Sequence, residues 1–287
     1  MPLCRTNQIS TNERVKEMPL HLQAIIDDDK ESRRFAAILT ICSEDPNSVF
    51  VSKDKYIHTQ YNLTDELSGS LFGRLIFTMK ICEKHIEVID VDIVLNNDNQ
   101  VLLEFSKLLN GSSDSNEYYE AVTKEGVHLL LETVNRHAAD GDLESAEHDV
   151  SVSAFPFQAT VYDDMHAFNQ WAGFGSGIRA GDSDFVVHGF SETFMMPGGV
   201  MNKSEGQDDY YSFLVGKVAS FRDVRWRLGE ECLDFAIVWL ETALGCIPAA
   251  MGREVFDLSG LDVGKIIAMN ADIKADLARS EDFQYPK

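Results

Sequence analysis

The sequence lacks any long hydrophobic run, which argues against a membrane-spanning helix. No apolar segment of the 287 residues approaches the roughly 18–20 residues that a helix needs to cross a bilayer. The first residues, MPLCRTNQISTNERVKEM, also lack the apolar core of a secretion signal. Together these features predict a cytoplasmic protein that does not contact a membrane.

The chain also has few cysteines, and neither they nor the histidines show a recognisable catalytic or metal-binding spacing. Its five cysteines include no CxxC pair, and its eight histidines form no HxxxH or HExxH pattern. This spacing favours reduced, mostly buried thiols, with a disulfide framework or a zinc site as the alternatives. We therefore expect no cofactor and lean against an enzyme.

Basic residues are scarce, and the deficit is uneven along the chain. There are 25 Lys and Arg against 47 Asp and Glu, a formal net charge of −22. Residues 1–209 hold 35 acidic and 16 basic residues, a net of −19, whereas residues 210–278 hold 10 and 7, a net of −3. Because such a chain repels nucleic acid and anionic membranes, the expected partner is another protein, with a homo-oligomer as a further possibility.

The 287 residues are long enough for two domains or for one large one, and the 44% of hydrophobic residues is enough for a real core. The patterns predict an α+β fold, with an acidic mixed α/β domain over residues 1–150 and a β-rich domain over residues 151–287. In the first domain, apolar residues at three- and four-residue spacing predict helices within residues 11–42 and over residues 99–111 and 114–141.

Alternating apolar residues predict strands in both domains. Segments 71–81 and 86–95 are expected to form an antiparallel hairpin. Near the C-terminus, a long alternating strand that contains Gly216 is followed by two strands, a short connector and a final strand. The glycine inside the long strand indicates a bulge or a sharp bend.

This C-terminal order resembles an OB-type barrel, which bends a long first strand and places a helix between its third and fourth strands. The element Asp262–Ile266 also resembles the turn that precedes the last strand in such barrels. The resemblance implies a small Greek-key barrel over about residues 185–278, with segment 185–196 as a candidate fifth strand.

The stretch FRDVRWR, residues 221–227, concentrates three arginines in an acidic chain. On a strand, Arg225 and Arg227 point to one side and Trp226 to the other, with Arg222 on the side of Trp226. The simplest interpretation is a core tryptophan with solvent-facing arginines that pair with acids on the next strand. The alternatives are docking onto an acidic surface and binding of single-stranded nucleic acid, so all four residues are candidate binding residues.

Two other groups could carry chemistry. Asp90 and Asp92 lie two residues apart on a predicted strand, so both carboxylates face one side and could hold Mg²⁺ or Mn²⁺. Asp163 and His166 could form an acid–base pair, and Trp171 could line a pocket beside a glycine-rich loop. The plainer alternatives are a solvated strand face for the first pair and a helix-start hydrogen bond for the second.

These features lead to three functional hypotheses. The favoured one is a non-enzymatic binding or interaction protein of unknown ligand, built from the acidic N-terminal region and the barrel. The second is a metal-dependent hydrolase that uses either Asp90 and Asp92 or Asp163 and His166. The third is binding of single-stranded nucleic acid by the barrel.

Overall fold

The protein is mostly β-structure. The computed structural model describes residues 9–11, 31–42, 44–51, 56–83, 85–109, 117–135, 143–144, 146–173, 178–179, 186–187, 189–198 and 210–277. In this part of the chain 63% of the residues lie in strands and 8% in two helices. The predicted α+β class with an α/β N-terminal region is therefore wrong.

The two helices are short. They are α1 (Glu31–Ile41) and α2 (Met165–Trp171). The strands are β1 (Ile9–Thr11), β2 (Ser48–Val51), β3 (Tyr56–Thr64), β4 (Leu71–Ile81), β5 (Ile86–Leu95), β6 (Gln100–Leu108), β7 (Glu117–Thr123), β8 (His128–Val134), β9 (Glu147–Tyr162), β10 (Ile178–Arg179), β11 (Val186–Val187), β12 (Met195–Pro197), β13 (Ser212–Leu228), β14 (Glu231–Thr242), β15 (Gly245–Gly252) and β16 (Ile266–Asp276). Neither helix is long and apolar enough to cross a bilayer, a finding that covers the described residues.

The first five strands form one sheet, which we call the N-terminal sheet, in the order β1-β5-β4-β3-β2. Its β4–β5 hairpin confirms the prediction from alternating apolar residues. The register shifts where Thr78 pairs with Asp90 and Met79 pairs with Val88. Because Val88 and Val91 both pack in the same core, this bulge reverses the inward–outward alternation of β5.

Residues 99–111 and 114–141 were predicted to be helical, but they contain β6, β7 and β8 instead. Strand β6 buries Val101, Leu103 and Phe105 on one side, and it also exposes apolar residues on the other side, such as Leu102. Those exposed leucines completed a pattern of helical spacing and concealed the period of two. Helix α1 lies within the predicted helical segment 11–42, whose residues 12–30 fall outside the described part.

The remaining large sheet closes on itself twice. Strands β13, β14, β15, β9 and β16 form a five-stranded ring, because β13 pairs with both β14 and β16. Strands β6, β7, β8, β16 and β9 form a second ring, which shares the β9–β16 pair with the first. One cluster of buried hydrophobic residues draws side chains from all eight strands.

The first ring is compatible with the expected small barrel, but its fifth member is β9, which lies upstream of the segment expected to supply that strand. Within residues 185–196 lie β11 and the start of β12, and β12 pairs with β13 outside the ring. Strand β9 begins at Glu147 and so extends to both sides of residue 150.

The N-terminal sheet packs against the outer side of the first ring. Strand β14 points Ala236 and Val238 into the ring and points Phe235 and Ile237 outward. These outward residues join a second core that includes Phe72, whose ring lies 5.3 Å from that of Phe235. Strand β14 is therefore buried on both faces, which explains its nearly continuous apolar sequence.

Candidate functional site

The FRDVRWR strand, β13, uses its arginines in contacts within the chain. Arg225 donates to both carboxylate oxygens of Asp234, its cross-strand partner, at 2.7 and 3.1 Å. Arg227 donates to Glu66, and this hydrogen bond holds the pKa of the Glu66 carboxyl below its ordinary value. Trp226 is 4% exposed and packs in the core under the N-terminal sheet.

The loop between β3 and β4 also contacts the arginine strand. Arg222 Nη1 donates to Ser70 Oγ at 2.8 Å, and its guanidinium lies 5.7 Å from the Trp239 ring. The Arg225 N–H donates to Asp65 Oδ1 at 2.9 Å. Burial by itself would raise the pKa of Asp65, but this and neighbouring hydrogen bonds lower it overall. The basic strand therefore binds an acidic loop of its own N-terminal sheet.

Asp90 and Asp92 lie in a buried group of charged side chains that we call the acid–lysine cluster. Its members come from three strands and are Asp90, Asp92, Glu132, Asp272 and Lys274. Lys274 Nζ lies 3.0 Å from Asp92 Oδ1 and 3.6 Å from Asp272 Oδ2, and it also donates to Glu132. The side chains of Lys274 and its three acidic partners are at most 5% exposed.

Burial controls the proton affinity of the cluster, because moving charged groups out of water favours their neutral forms. Burial raises the pKa of Glu132 to about 8, and together with the neighbouring Asp92 it raises the pKa of Asp90 well above the ordinary range. Burial also raises the pKa of Asp272. For Lys274, burial lowers the pKa, but the surrounding carboxylates outweigh this effect and raise it. Burial thus favours the protonated form of these carboxyl groups, whereas the surrounding carboxylates favour the ammonium form of Lys274.

The cluster differs in its burial and in its partners from the open metal site that Asp90 and Asp92 could form. Asp90 and Asp92 were predicted to share one side of a strand, and their carboxylate oxygens lie within 4.8 Å of each other and of Glu132. Both are buried, at 7% and 2% exposure, and Lys274 already supplies a positive charge to Asp92 and Glu132. The sequence reasoning missed Lys274, although polar residues alternate with apolar ones throughout the second half of β16.

A groove between β9, β13, β16, helix α2 and the segment after β15 collects five aromatic side chains, and we call it the aromatic groove. Trp171 is exposed, whereas the other four are half-buried. It has a volume of about 420 Å³, a size found for ligand pockets. It is lined by Phe157, Gln158, Ala159, Thr160, Tyr162, Trp171, Phe213, Val255, Phe256, Ala268, Met269 and Asn270, none of them charged. Asn270 Nδ2 donates to Gln158 Oε1 at 2.9 Å.

Helix α2 places Trp171 at the rim of this groove. Asp164 accepts a hydrogen bond from Ala167 N at 2.8 Å and so caps the helix start. Phe168 is fully buried beneath the helix, and the Trp171 ring stacks on it with centroids 6.1 Å apart. Trp171 itself remains 69% exposed, so the helix presents a large apolar side chain to solvent on a rigid support.

The two polar residues predicted beside Trp171 have separate partners. Asp163 accepts a hydrogen bond from Lys265 Nζ at 2.5 Å, and this contact lowers its pKa. His166 Nε2 lies 2.8 Å from Gln170 Nε2, one turn further along α2. These contacts differ from an acid–base pair between Asp163 and His166, and the helix-start hydrogen bond, the plainer alternative, is accepted by Asp164.

Comparisons of the chain with family models, with curated proteins and with solved structures find no match.

Proposed function

We propose that this protein is a non-enzymatic binding protein, that its partner is another protein, and that the aromatic groove is the binding surface. The observation that carries the proposal is the exposure of Trp171, which leaves 69% of its surface in contact with solvent at the rim of the groove. Tryptophan is enriched among the few interface residues that supply most of the binding energy. An exposed tryptophan beside further aromatic rings suits this role.

The lining of the groove indicates the chemistry of the partner segment. Aromatic rings of Tyr162 and Phe213 would pack against apolar side chains, while the amides of Gln158 and Asn270 suit a peptide backbone, which offers donors and acceptors. The lining is uncharged, so a charged side chain would lose its hydration there without an opposite charge to replace it. We therefore expect an uncharged segment with apolar side chains to occupy the groove.

The first ring itself is best interpreted as an OB-type barrel in which β9 supplies the fifth strand from upstream. In such barrels the surface of the second and third strands binds oligonucleotides. The corresponding strands here are β14 and β15, and the outward side of β14 packs against the N-terminal sheet. Arg225 and Arg227 next to it contact acidic groups. Protein binding at the groove is therefore favoured over nucleic-acid binding at the usual face.

Protein binding at the groove is also favoured over metal-dependent hydrolysis. A metal-dependent hydrolase needs carboxylates that a metal ion and a substrate can reach together. Asp90 and Asp92 are buried and lie beside Lys274, and Asp163 contacts Lys265. These placements support structural roles for the three carboxylates.

A peptide library displayed on phage tests the proposal directly. Peptides selected on the full-length protein are synthesised, and their affinities for the wild type and for Trp171→Ala are measured by fluorescence anisotropy. We expect the variant to bind at least about 30-fold more weakly, because truncation of such an anchor costs about 2 kcal/mol or more. Thermal unfolding verifies that the variant is folded.

Leu67→Ala provides the matched control, because Leu67 is 59% exposed but lies in the β3–β4 loop, outside the groove. This variant should bind the selected peptides with wild-type affinity. Failure to select any peptide above background would overturn the proposal, and so would equal affinities for Trp171→Ala and the wild type.

A further inference from the structure

The turn of the β4–β5 hairpin brings together three side chains that the proposed function does not use. Cys82 N donates to His85 O at 3.0 Å and closes the turn, and Ile81 pairs with Ile86. Residues directly opposite in an antiparallel pair share one side of the sheet, as do residues two apart on a strand. The backbone therefore places Cys82, His85 and Glu87 on the same side.

The side chains of these residues converge on one point. The Cys82 sulfur, a ring nitrogen of His85 and a carboxylate oxygen of Glu87 all lie within 4.8 Å of one another. Cys82 Sγ is 3.9 Å from Glu87 Oε2. All three residues are half-buried, so an ion from solvent can reach them.

We propose that Cys82, His85 and Glu87 form a zinc-binding site with three protein ligands and a fourth position open to solvent. Thiolate, imidazole and carboxylate are the three ligand types that zinc accepts in tetrahedral sites. Zinc–ligand bonds of about 2.0–2.3 Å at tetrahedral angles would bring the three donor atoms to roughly 3.4–3.6 Å from one another. Small rotations of the side chains on a fixed hairpin are enough to reach that spacing.

The donor set also selects against other metal ions. A sulfur ligand disfavours Mg²⁺ and Ca²⁺, which prefer oxygen ligands alone. Binding converts the Cys82 thiol to a thiolate and releases its proton to solvent, while zinc keeps its oxidation state. The acid–lysine cluster suits a metal ion less well, because Lys274 already supplies a cation there.

Cobalt(II) is the probe for this site, because it takes tetrahedral zinc sites and reports its ligands by absorbance. Cobalt is titrated into the untagged, reduced, metal-free full-length protein. We expect one equivalent to produce a thiolate-to-cobalt charge-transfer band in the near ultraviolet, and zinc to remove it. Cys82→Ser should abolish the band. His85→Ala and Glu87→Gln should weaken cobalt binding at least about tenfold, because loss of even an outer partner of a ligand costs 10–100-fold.

Cys232→Ser is the matched control, since Cys232 is an exposed thiol whose sulfur lies 3.3 Å from Glu66 Oε2, far along the chain from the hairpin. This variant should retain the charge-transfer band at full intensity. The proposal is overturned if wild-type protein gives no such band, or if the band survives in Cys82→Ser and disappears in Cys232→Ser. Circular dichroism of each variant verifies that the β-structure is intact.

Discussion

Replacing Glu132 by glutamine is the sharpest test of the acid–lysine cluster. Glu132 lies in β8, its side chain is 2% exposed, and it contacts Lys274. Burial raises the pKa of its carboxyl from an ordinary 4.5 to about 8, with Asp272 and Asp92 acting in the same direction and Lys274 opposing them. Glutamine keeps the size and the hydrogen-bonding oxygen of the side chain but cannot ionise.

The pKa shift makes the stability of the protein depend on pH with a definite sign. Between pH 4.5 and 8 the folded state keeps a proton on Glu132 that the unfolded state has released. The free energy of unfolding therefore decreases as the pH rises, by about 1.4 kcal/mol per pH unit and about 5 kcal/mol over the window. Asp90 and Asp272 also have raised pKa values, so they add slope of the same sign.

Urea denaturation at several pH values between 5 and 9 measures this slope. In Glu132→Gln we expect the free energy of unfolding to fall less steeply with pH, by the amount that one bound proton contributes. This variant should also be more stable than the wild type at pH 9. Glu104→Gln changes the same atoms on the exposed side of β6 and should leave the slope unchanged. Identical slopes for Glu132→Gln and the wild type would show that Glu132 is ionised in the folded protein, which would refute the reasoning.

Two further predictions concern the same core and the arginine strand. Lys274→Met should lower the free energy of unfolding at pH 7 by about 3–5 kcal/mol, because it leaves buried carboxyl groups without their cation; an unchanged urea midpoint would contradict that role. Trp226→Ala should cost about 3–5 kcal/mol in the same assay, whereas Arg225→Ala should cost far less because solvent screens its half-exposed ion pair with Asp234. A larger loss for Arg225 than for Trp226 would contradict the core position of the tryptophan.

The strands that could be predicted from sequence are those with one clear apolar side or a continuous apolar run. The β4–β5 hairpin and the C-terminal strands β13 to β16 belong to this group. Strand β6 was mistaken for a helix because exposed apolar residues such as Leu102 added matches at helical spacing. In β7 and β8 the half-buried Tyr118, Val122 and Leu130 had the same effect. A period of two is hard to see when the solvent side of a strand also carries leucines.

The acid–lysine cluster shows why sites are harder to predict than strands. The two-residue spacing of Asp90 and Asp92 identified a pair of carboxylates on one strand side. Their neighbours were invisible, because Lys274 lies 182 residues from Asp92 and 142 residues from Glu132 along the chain. The ammonium group of Lys274 makes a structural role more plausible for Asp90 and Asp92 than a metal site. It reaches them only because the folded chain brings β16 close to β5 and β8.

On the surface of the ring, the arginine strand also has some contacts that could be predicted from sequence and some that could not. Alternation along β13 correctly separated Trp226 from Arg225 and Arg227, and the cross-strand pair with Asp234 could be expected from adjacent strands. The contact between Arg227 and Glu66 could not, since 161 residues separate them. This contact links a near-neutral C-terminal segment to the acidic N-terminal part of the chain. Because these arginines already have acidic partners in the chain, an uncharged surface with an exposed Trp171 is the better candidate for contact with another molecule.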